Sequence, residues 1–254
     1  MGIISTGKTD IGLVRKTNQD SIYLSENLNL FLVADGMGGH NGGDIASALA
    51  VDKVPTFVEE YKSDRNPHDF LSKAIQSANT AIFQKGLEDE KLKGMGTTAV
   101  AAYFAGEQLY LANVGDSRAY LFNRGNLYQL TVDHSLIQEK LTLAVMSGSI
   151  NYDREAAKLD PKHNVITRTV GFEENVNVDT FEYQVSKNDL FLLCSDGLCG
   201  KVSDEQINRI LTESLGDLKT LTEERMSGAV DELIEEAKRQ GGNDNISVIL
   251  LFAK

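Results

Sequence analysis

The chain has 254 residues, 41% of them hydrophobic and 24% charged, with a net charge of −12. It is long enough to bury a substantial core, while so acidic a surface lacks the basic face that nucleic acid or an anionic membrane requires. With 3 Pro, no repeat, no low-complexity stretch, no membrane-length apolar run and no leader-like segment at Met1-Gly2-Ile3-Ile4-Ser5, the expectation is one domain over residues 1–254, cytoplasmic and monomeric by default.

Short strands are predicted over 2–6, 20–25 and 30–34. A helix follows over 44–61, with Ile45, Ala48, Leu49 and Val51 on its apolar side. Asn66-Pro67 opens a second helix, since Pro suits a first turn. Phe70, Leu71, Ala74, Ile75, Ala78, Ile82 and Phe83 fall on one face of it. Four strands come next, over 97–104, 108–114, 118–122 and 127–131, turning at Gly106-Glu107 and at Asn123-Arg124-Gly125-Asn126. Residues 135–165 read as irregular and polar. Strands return over 178–185 and 189–195. Helices follow over 204–213 and 218–240, the second with Met226, Ala229, Val230, Leu233, Ile234 and Ala237 on one face and Gly241-Gly242 at its end. A strand over 245–252 finishes the chain. Strands grouped between helix pairs do not make the alternation of a parallel doubly wound sheet. The expected fold is α+β, a four-layer α-β-β-α sandwich of two antiparallel sheets flanked by helix pairs.

Two apolar runs stop at Asp-Gly: Phe31-Leu32-Val33-Ala34 at Asp35-Gly36, and Phe191-Leu192-Leu193-Cys194-Ser195 at Asp196-Gly197. A third, Tyr110-Leu111-Ala112-Asn113-Val114, stops at Gly115-Asp116. A hairpin turn at Asp-Gly would lead straight into another strand. Neither Asp-Gly pair does so: one leads into a glycine-rich loop and a helix, the other to the helix start Ser203-Asp204-Glu205-Gln206. An acid at the end of a buried strand is costly to desolvate, and several together repel unless a divalent cation joins them. Asp20 and Asp244, also at strand ends, complete a set of five. Short carboxylates with hard oxygens select Mg²⁺ or Mn²⁺ over zinc. Gly36, Gly115 and Gly197 allow close backbone approach, and the Gly36 carbonyl is a candidate ligand. Arg15, five residues before Asp20, has the forked donors that suit phosphate.

Other patterns carry less. Gly2-Ile3-Ile4-Ser5-Thr6-Gly7-Lys8-Thr9 matches a P-loop, but lacks the strand before and the helix after that would aim its amides at phosphate. Cys194 and Cys199 form no zinc knuckle, and Cys194, alternating with Leu192, belongs in the core. Asn245-Ile246-Ser247 is a glycosylation match by pattern only.

In order, Arg15-Lys16-Thr17-Asn18-Gln19-Asp20-Ser21, Ala34-Asp35-Gly36-Met37-Gly38-Gly39-His40, Gly96-Thr97-Thr98-Ala99, Asn113-Val114-Gly115-Asp116-Ser117-Arg118, Asp133-His134-Ser135, Ile166-Thr167-Arg168, Ser195-Asp196-Gly197 and Gly242-Asn243-Asp244-Asn245 resemble the motifs of PP2C-type (PPM) metal-dependent protein phosphatases in their bacterial form. The resemblance runs over about residues 6–251. It implies a hydrolase that removes phosphate from phosphoserine and phosphothreonine in proteins, by one-step attack of a hydroxide bridging two Mn²⁺ or Mg²⁺ ions. By the same resemblance Asp35 bridges the ions, the Gly36 carbonyl binds one, and Asp196 and Asp244 hold the other. Asp20 acts in the outer shell through a metal-bound water, and Asp116 helps bind a third, weaker ion. Arg15 grips the substrate phosphate, and residues 135–164 form a flap beside the site. A Ser/Thr kinase and its targets are the implied signalling partners.

Two positions depart from the pattern. Gln19 stands where many members have Glu, so it is left off the site. Met37 stands where eukaryotic members have a His proposed as general acid, which leaves His40 as the candidate substitute. An inactive phosphoprotein-binding module would require a lost ligand, and Asp35, Asp196 and Asp244 are all present. A metal-dependent nuclease is disfavoured by the charge of −12.

Overall fold

The alternation of side chains along each strand explains the layering. In the computed structural model, which describes residues 2–38, 42–61, 66–147 and 165–254, one sheet runs β1 (Ile3–Asp10), β11 (Ile246–Ala253), β10 (Leu190–Cys194), β7 (Arg118–Asn123) and β8 (Asn126–Gln129). The other runs β2 (Asp20–Ser25), β3 (Leu30–Met37), β5 (Ala99–Ala105), β6 (Gln108–Val114) and β9 (Asp179–Gln184), with the short β4 (Gly96–Thr97) also on β3. The pairings are antiparallel. Phe31, Val33, Val100, Leu111, Phe191, Leu193, Ile249 and Leu251 meet between the sheets. The intervening residues face outward under helices. Leu30, Leu32 and Ala34 lie under α1 (Gly43–Tyr61) and α2 (Pro67–Glu88). Leu190, Leu192 and Cys194 lie under α5 (Asp204–Leu215) and α6 (Glu223–Arg239). Both faces of the central strands are therefore covered, which is why residues 30–34 of β3, all of β10 and residues 248–253 of β11 are apolar without a break. The four-layer α-β-β-α sandwich expected from the sequence is the fold.

Local signals set the helix ends. Asn66 accepts from the His68 N–H with Pro67 in the first turn of α2. Ser203 and Gln206 form a reciprocal capping box on α5. After α6, Gly241 and Gly242 take φ of 121° and 52°, and Gly242 N–H reaches the Ala237 carbonyl. Gly2–Thr9 mostly lies in β1, paired along its length with β11, so the P-loop resemblance has no structural counterpart.

Four local expectations need correction. The buried side of α1 is Gly43, Ala46, Ser47, Ala50, Val54, Pro55 and Val58, not the face carrying Ile45, Ala48, Leu49 and Val51. Small residues bring this helix close to β3, and Ile45, Leu49 and Val51 pack only at its flanks. The run over 218–240 is two elements: Asp217 caps a 3-10 turn, Leu218–Thr220, and Thr222 caps α6 afresh. The strand expected over 30–34 runs on to Met37, because Asp35 pairs with Asp20 and Gly36 and Met37 pair with β4. Finally, the irregular stretch contains α3 (Leu136–Met146), capped by Ser135. It has no buried residue and hence no apolar periodicity to betray it.

Candidate active site

At one end of the sandwich the inward-facing register changes from apolar to polar. Following Ile22 and Leu24 back along β2 gives Asp20, and following Phe31 and Val33 along β3 gives Asp35, its direct cross-strand partner. The same parity gives Ser195 after β10 and Ser247 on β11, and each hydroxyl donates to Asp20 Oδ2 at 2.7 Å. One oxygen of Asp20 is thus fixed. Asp196 opens the short α4 (Asp196–Cys199), and Asp244 precedes β11. Arg15 reaches Asp244 Oδ2 through Nη2 at 2.7 Å and feels Asp35 and Asp196 as well.

The acids share one field. Burial first, then Asp20, Asp196, Asp116 and Asp244, push Asp35 well above the usual carboxylate range. Burial, assisted by Asp196 and Asp244 and opposed by the two serine hydroxyls, raises Asp20 to about 6. Asp116 is raised to about 8 by burial, then by Asp196 and Asp133. Burial and Asp244 raise Asp196. Among the described residues Asp20 Oδ1, Asp116 Oδ1 and Asp196 Oδ1 have no hydrogen-bond partner. No three His, Cys, Asp or Glu side chains among those residues are drawn into a finished ion cage. Buried acceptors without donors, on carboxylates held against mutual repulsion, nevertheless fit a divalent cation, and the all-oxygen donor set fits Mn²⁺ or Mg²⁺. Gly36 and Gly197 permit the convergence: a Cβ on either would lie 1.9 Å from a backbone carbonyl, of Gly43 and Asn245 respectively.

The residues that hold this cluster carry no ligand-like signal in the sequence. Thr98 Oγ1 accepts from the Asp35 N–H at 2.9 Å and lies 2.7 Å from Ser117 Oγ, tying Asp35 to the neighbour of Asp116. Thr97 Oγ1 donates to the Asp35 carbonyl. Asn245 accepts from the Gln19 N–H and donates to the Ile11 and Thr17 carbonyls, stapling the loop that carries Arg15 beside Asp244. Asn245 and Ser247, the glycosylation pattern, are 3% and 0% exposed and serve this site instead. Gly-Thr-Thr and Asn-Asp-Asn were visible as motifs, but which backbone groups they would hold depends on contacts between distant strands. Nearby, Arg118 grips Asp133 through Nε and Nη2, with Tyr120 linking Arg118 to Asp204. Cys194 lies in the core, as expected. His40 and residues 148–164 of the expected flap lie outside the described residues. A cleft of about 420 Å³ opens beside Met37, lined also by Ile166, Arg168, Phe172 and Val176 but by none of the five acids.

The profile of the family described as Protein phosphatase 2C matches residues 8–140. A serine/threonine phosphatase, Stp, of Listeria monocytogenes is 39% identical over 250 residues, covering 96% of this chain and 93% of that one. The chain belongs to the protein phosphatase 2C family. A second member, the serine/threonine protein phosphatase PstP of Mycobacterium tuberculosis, is 37% identical over 96% of this chain and 43% of its own length. The crystal structure of M. tuberculosis PstP superposes with a TM-score of 0.85 at 33% identity, covering 100% of both chains. The catalytic domain of PstP in complex with two manganese ions gives a TM-score of 0.80 at 33% identity, covering 99% of each. The phosphatase 2C family is thus matched in sequence and in fold.

Proposed function

We propose that this chain is a metal-dependent protein-serine/threonine phosphatase whose reaction centre is the cluster of Asp20, Asp35, Asp116, Asp196 and Asp244 with Arg15. The observation that carries this reading is the convergence of the acids at one sandwich end, with donorless oxygens on Asp20, Asp116 and Asp196. Asp35 and the Gly36 carbonyl, with Asp196 and Asp244, would hold two Mn²⁺ or Mg²⁺ ions, and Asp116 a third. When bound, such ions supply an activated water for in-line attack and neutralise phosphoryl charge, which makes a slow phosphomonoester hydrolysis fast.

The chain's own residues do the rest. Arg15, 48% exposed at its side chain, is accessible to substrate. Its guanidinium turns from Asp244 to clamp two phosphoryl oxygens. Asp20, one oxygen fixed by Ser195 and Ser247, offers the other to orient the attacking water. Thr97 and Thr98 hold the Asp35 backbone so that its carboxylate does not retreat under repulsion. His40 is the candidate for protonating the leaving serine or threonine oxygen. The peptide flanking the phosphoresidue lies along the cleft by Met37 and Phe172.

Residues 1–254 act as one catalytic unit with a flap over about 135–164, a reading supported by the pairing of β1 with β11 across the whole chain. Among the described residues no helix is long and apolar enough to cross a membrane. Phosphoproteins are the substrates, a Ser/Thr kinase and its targets the natural partners, and the cytoplasm the compartment; neither nucleic acid nor membrane is a partner. The protein works as a monomer. Hydrolysis of p-nitrophenyl phosphate and of a phosphothreonine peptide should vanish in EDTA and return with Mn²⁺. Full activity in EDTA would contradict the proposal.

A further inference from the structure

We propose, on the reading that Asp116 holds an outlying third cation, that His134 is the residue that positions Asp116. Gly115, immediately before that acid, has φ of +105°, and a Cβ there would lie 2.6 Å from Thr98 Cγ2. Backbone in this region is held by what surrounds it, and here both polar groups of the glycine face a single residue. The Gly115 carbonyl accepts from the His134 N–H at 2.9 Å, and the Gly115 N–H donates to His134 Nδ1 at 3.0 Å.

An amide donor at Nδ1 settles the tautomer, because that nitrogen must carry a lone pair and the proton must sit on Nε2. Nε2 lies 3.1 Å from Asp179 Oδ2, so the ring donates there. Arg168 Nη1 donates to the other oxygen of Asp179 at 2.5 Å, and its 3.0 Å approach to His134 Nε2 brings together two donors that share one carboxylate. Asp179 is in turn the β-pair partner of Asn113, two residues before Gly115, whose Nδ2 also donates to the Gly115 carbonyl. The circuit from β6 to β9, through the imidazole and back to the end of β6, is closed. The His134 carbonyl accepts from Thr167 N–H at 2.8 Å, anchoring the ring's own backbone. The side chain is 7% exposed. What this circuit aims is Asp116, whose Oδ1 has no partner among the described residues. The imidazole acts on the acid through the Gly115 backbone.

Two substitutions separate positioning from mere packing. Asn at this position sets an acceptor oxygen where Nδ1 stood and keeps the Gly115 bond while losing Asp179. Gln sets its amide near Nε2, keeps Asp179 and leaves the Gly115 N–H unanswered. Binding of Mn²⁺ to the full chain is read by electron paramagnetic resonance of the free ion, alongside p-nitrophenyl phosphate hydrolysis across Mn²⁺ concentration. His134→Gln should weaken the weakest binding event by about tenfold or more, with the tighter events unchanged, and His134→Asn should stay within about threefold of the parent. Equal behaviour of the two variants, or a greater loss in His134→Asn, overturns the proposal. Asp116→Asn should remove the same weak event. If it leaves every event in place, the reading of Asp116 fails and the proposal falls with it. If it removes the event while His134→Gln does not disturb it, only the role of His134 falls. Should His134→Gln not fold, His134→Leu keeps the bulk while leaving the Gly115 N–H unanswered and should weaken that event; an unchanged event there overturns the proposal.

Discussion

At Asp133 each carboxylate oxygen meets a donor, whereas around Asp35 the carboxylates meet one another. Arg118 and Gln129 fill the acceptors of Asp133, with Arg118 contacts of 2.7–3.1 Å, and Tyr120 extends the pair to Asp204. Asp35 sits among four further acids, with Arg15 as a half-exposed cation nearby. Both sites lie at strand ends of one sandwich, and both contain acids in short motifs. The difference is that the first arrangement is complete as protein and the second is complete only with something cationic added. Donor count, rather than acid count, separates a structural ion pair from a reaction centre.

Substitutions at the two sites should move activity and stability in opposite directions. The largest effect is expected at Asp35 or Asp244. Changing either to Asn should lower hydrolysis of p-nitrophenyl phosphate in Mn²⁺ by about 10³-fold or more, ~4 kcal/mol in barrier. For Asp35→Asn the metal-free protein should melt higher, because a repelling carboxylate is gone. Loss of activity with a lowered melting point would mean that Asp35 is held like Asp133. Asp133→Ala strands the Arg118 guanidinium, and should cost about 3–5 kcal/mol in a urea titration. A cost below 1 kcal/mol, of the order of an exposed pair, would erase the contrast.

Acidity offers a smaller but cleaner test. In the metal-free protein Asp20 stands at about 6 and Asp116 at about 8, against an ordinary 3.8. A carboxyl raised in this way binds its proton more tightly folded than unfolded. Its stabilising contribution is complete below the unfolded value and is lost as pH rises through the folded one. Melting temperatures in EDTA should therefore fall between about pH 4 and about pH 8, and saturating Mn²⁺ should flatten that slope. A rising slope would place the acids in donor-rich surroundings. Smallest of all, Lys8→Ala removes an exposed pair with Asp231 and should leave activity and melting point unchanged.

The two regions also differ in how far they were legible in the sequence. Asp35 and Asp196 announced themselves because Asp-Gly after an apolar run is a local pattern. β6 and β2 likewise matched their predicted spans, since their turns bound them closely. The supports of the site did not announce themselves. Ser195 and Ser247 bond Asp20 across 175 and 227 residues of chain, and such partnerships depend on how two sheets stack. The buried face of α1 was misread because close approach to a sheet selects Gly, Ala and Ser over the larger residues that usually signal a core. α3 escaped for the opposite reason, since a helix with no buried side carries no period.

The central claim is that the five aspartates converge in order to hold divalent ions. A crystal grown in Mn²⁺, with data collected at the manganese absorption edge, tests it most directly. Two strong anomalous peaks are expected among Asp35, Gly36, Asp196 and Asp244, with a weaker one at Asp116. An active enzyme whose anomalous density lay elsewhere, with these carboxylates bare, would contradict the account.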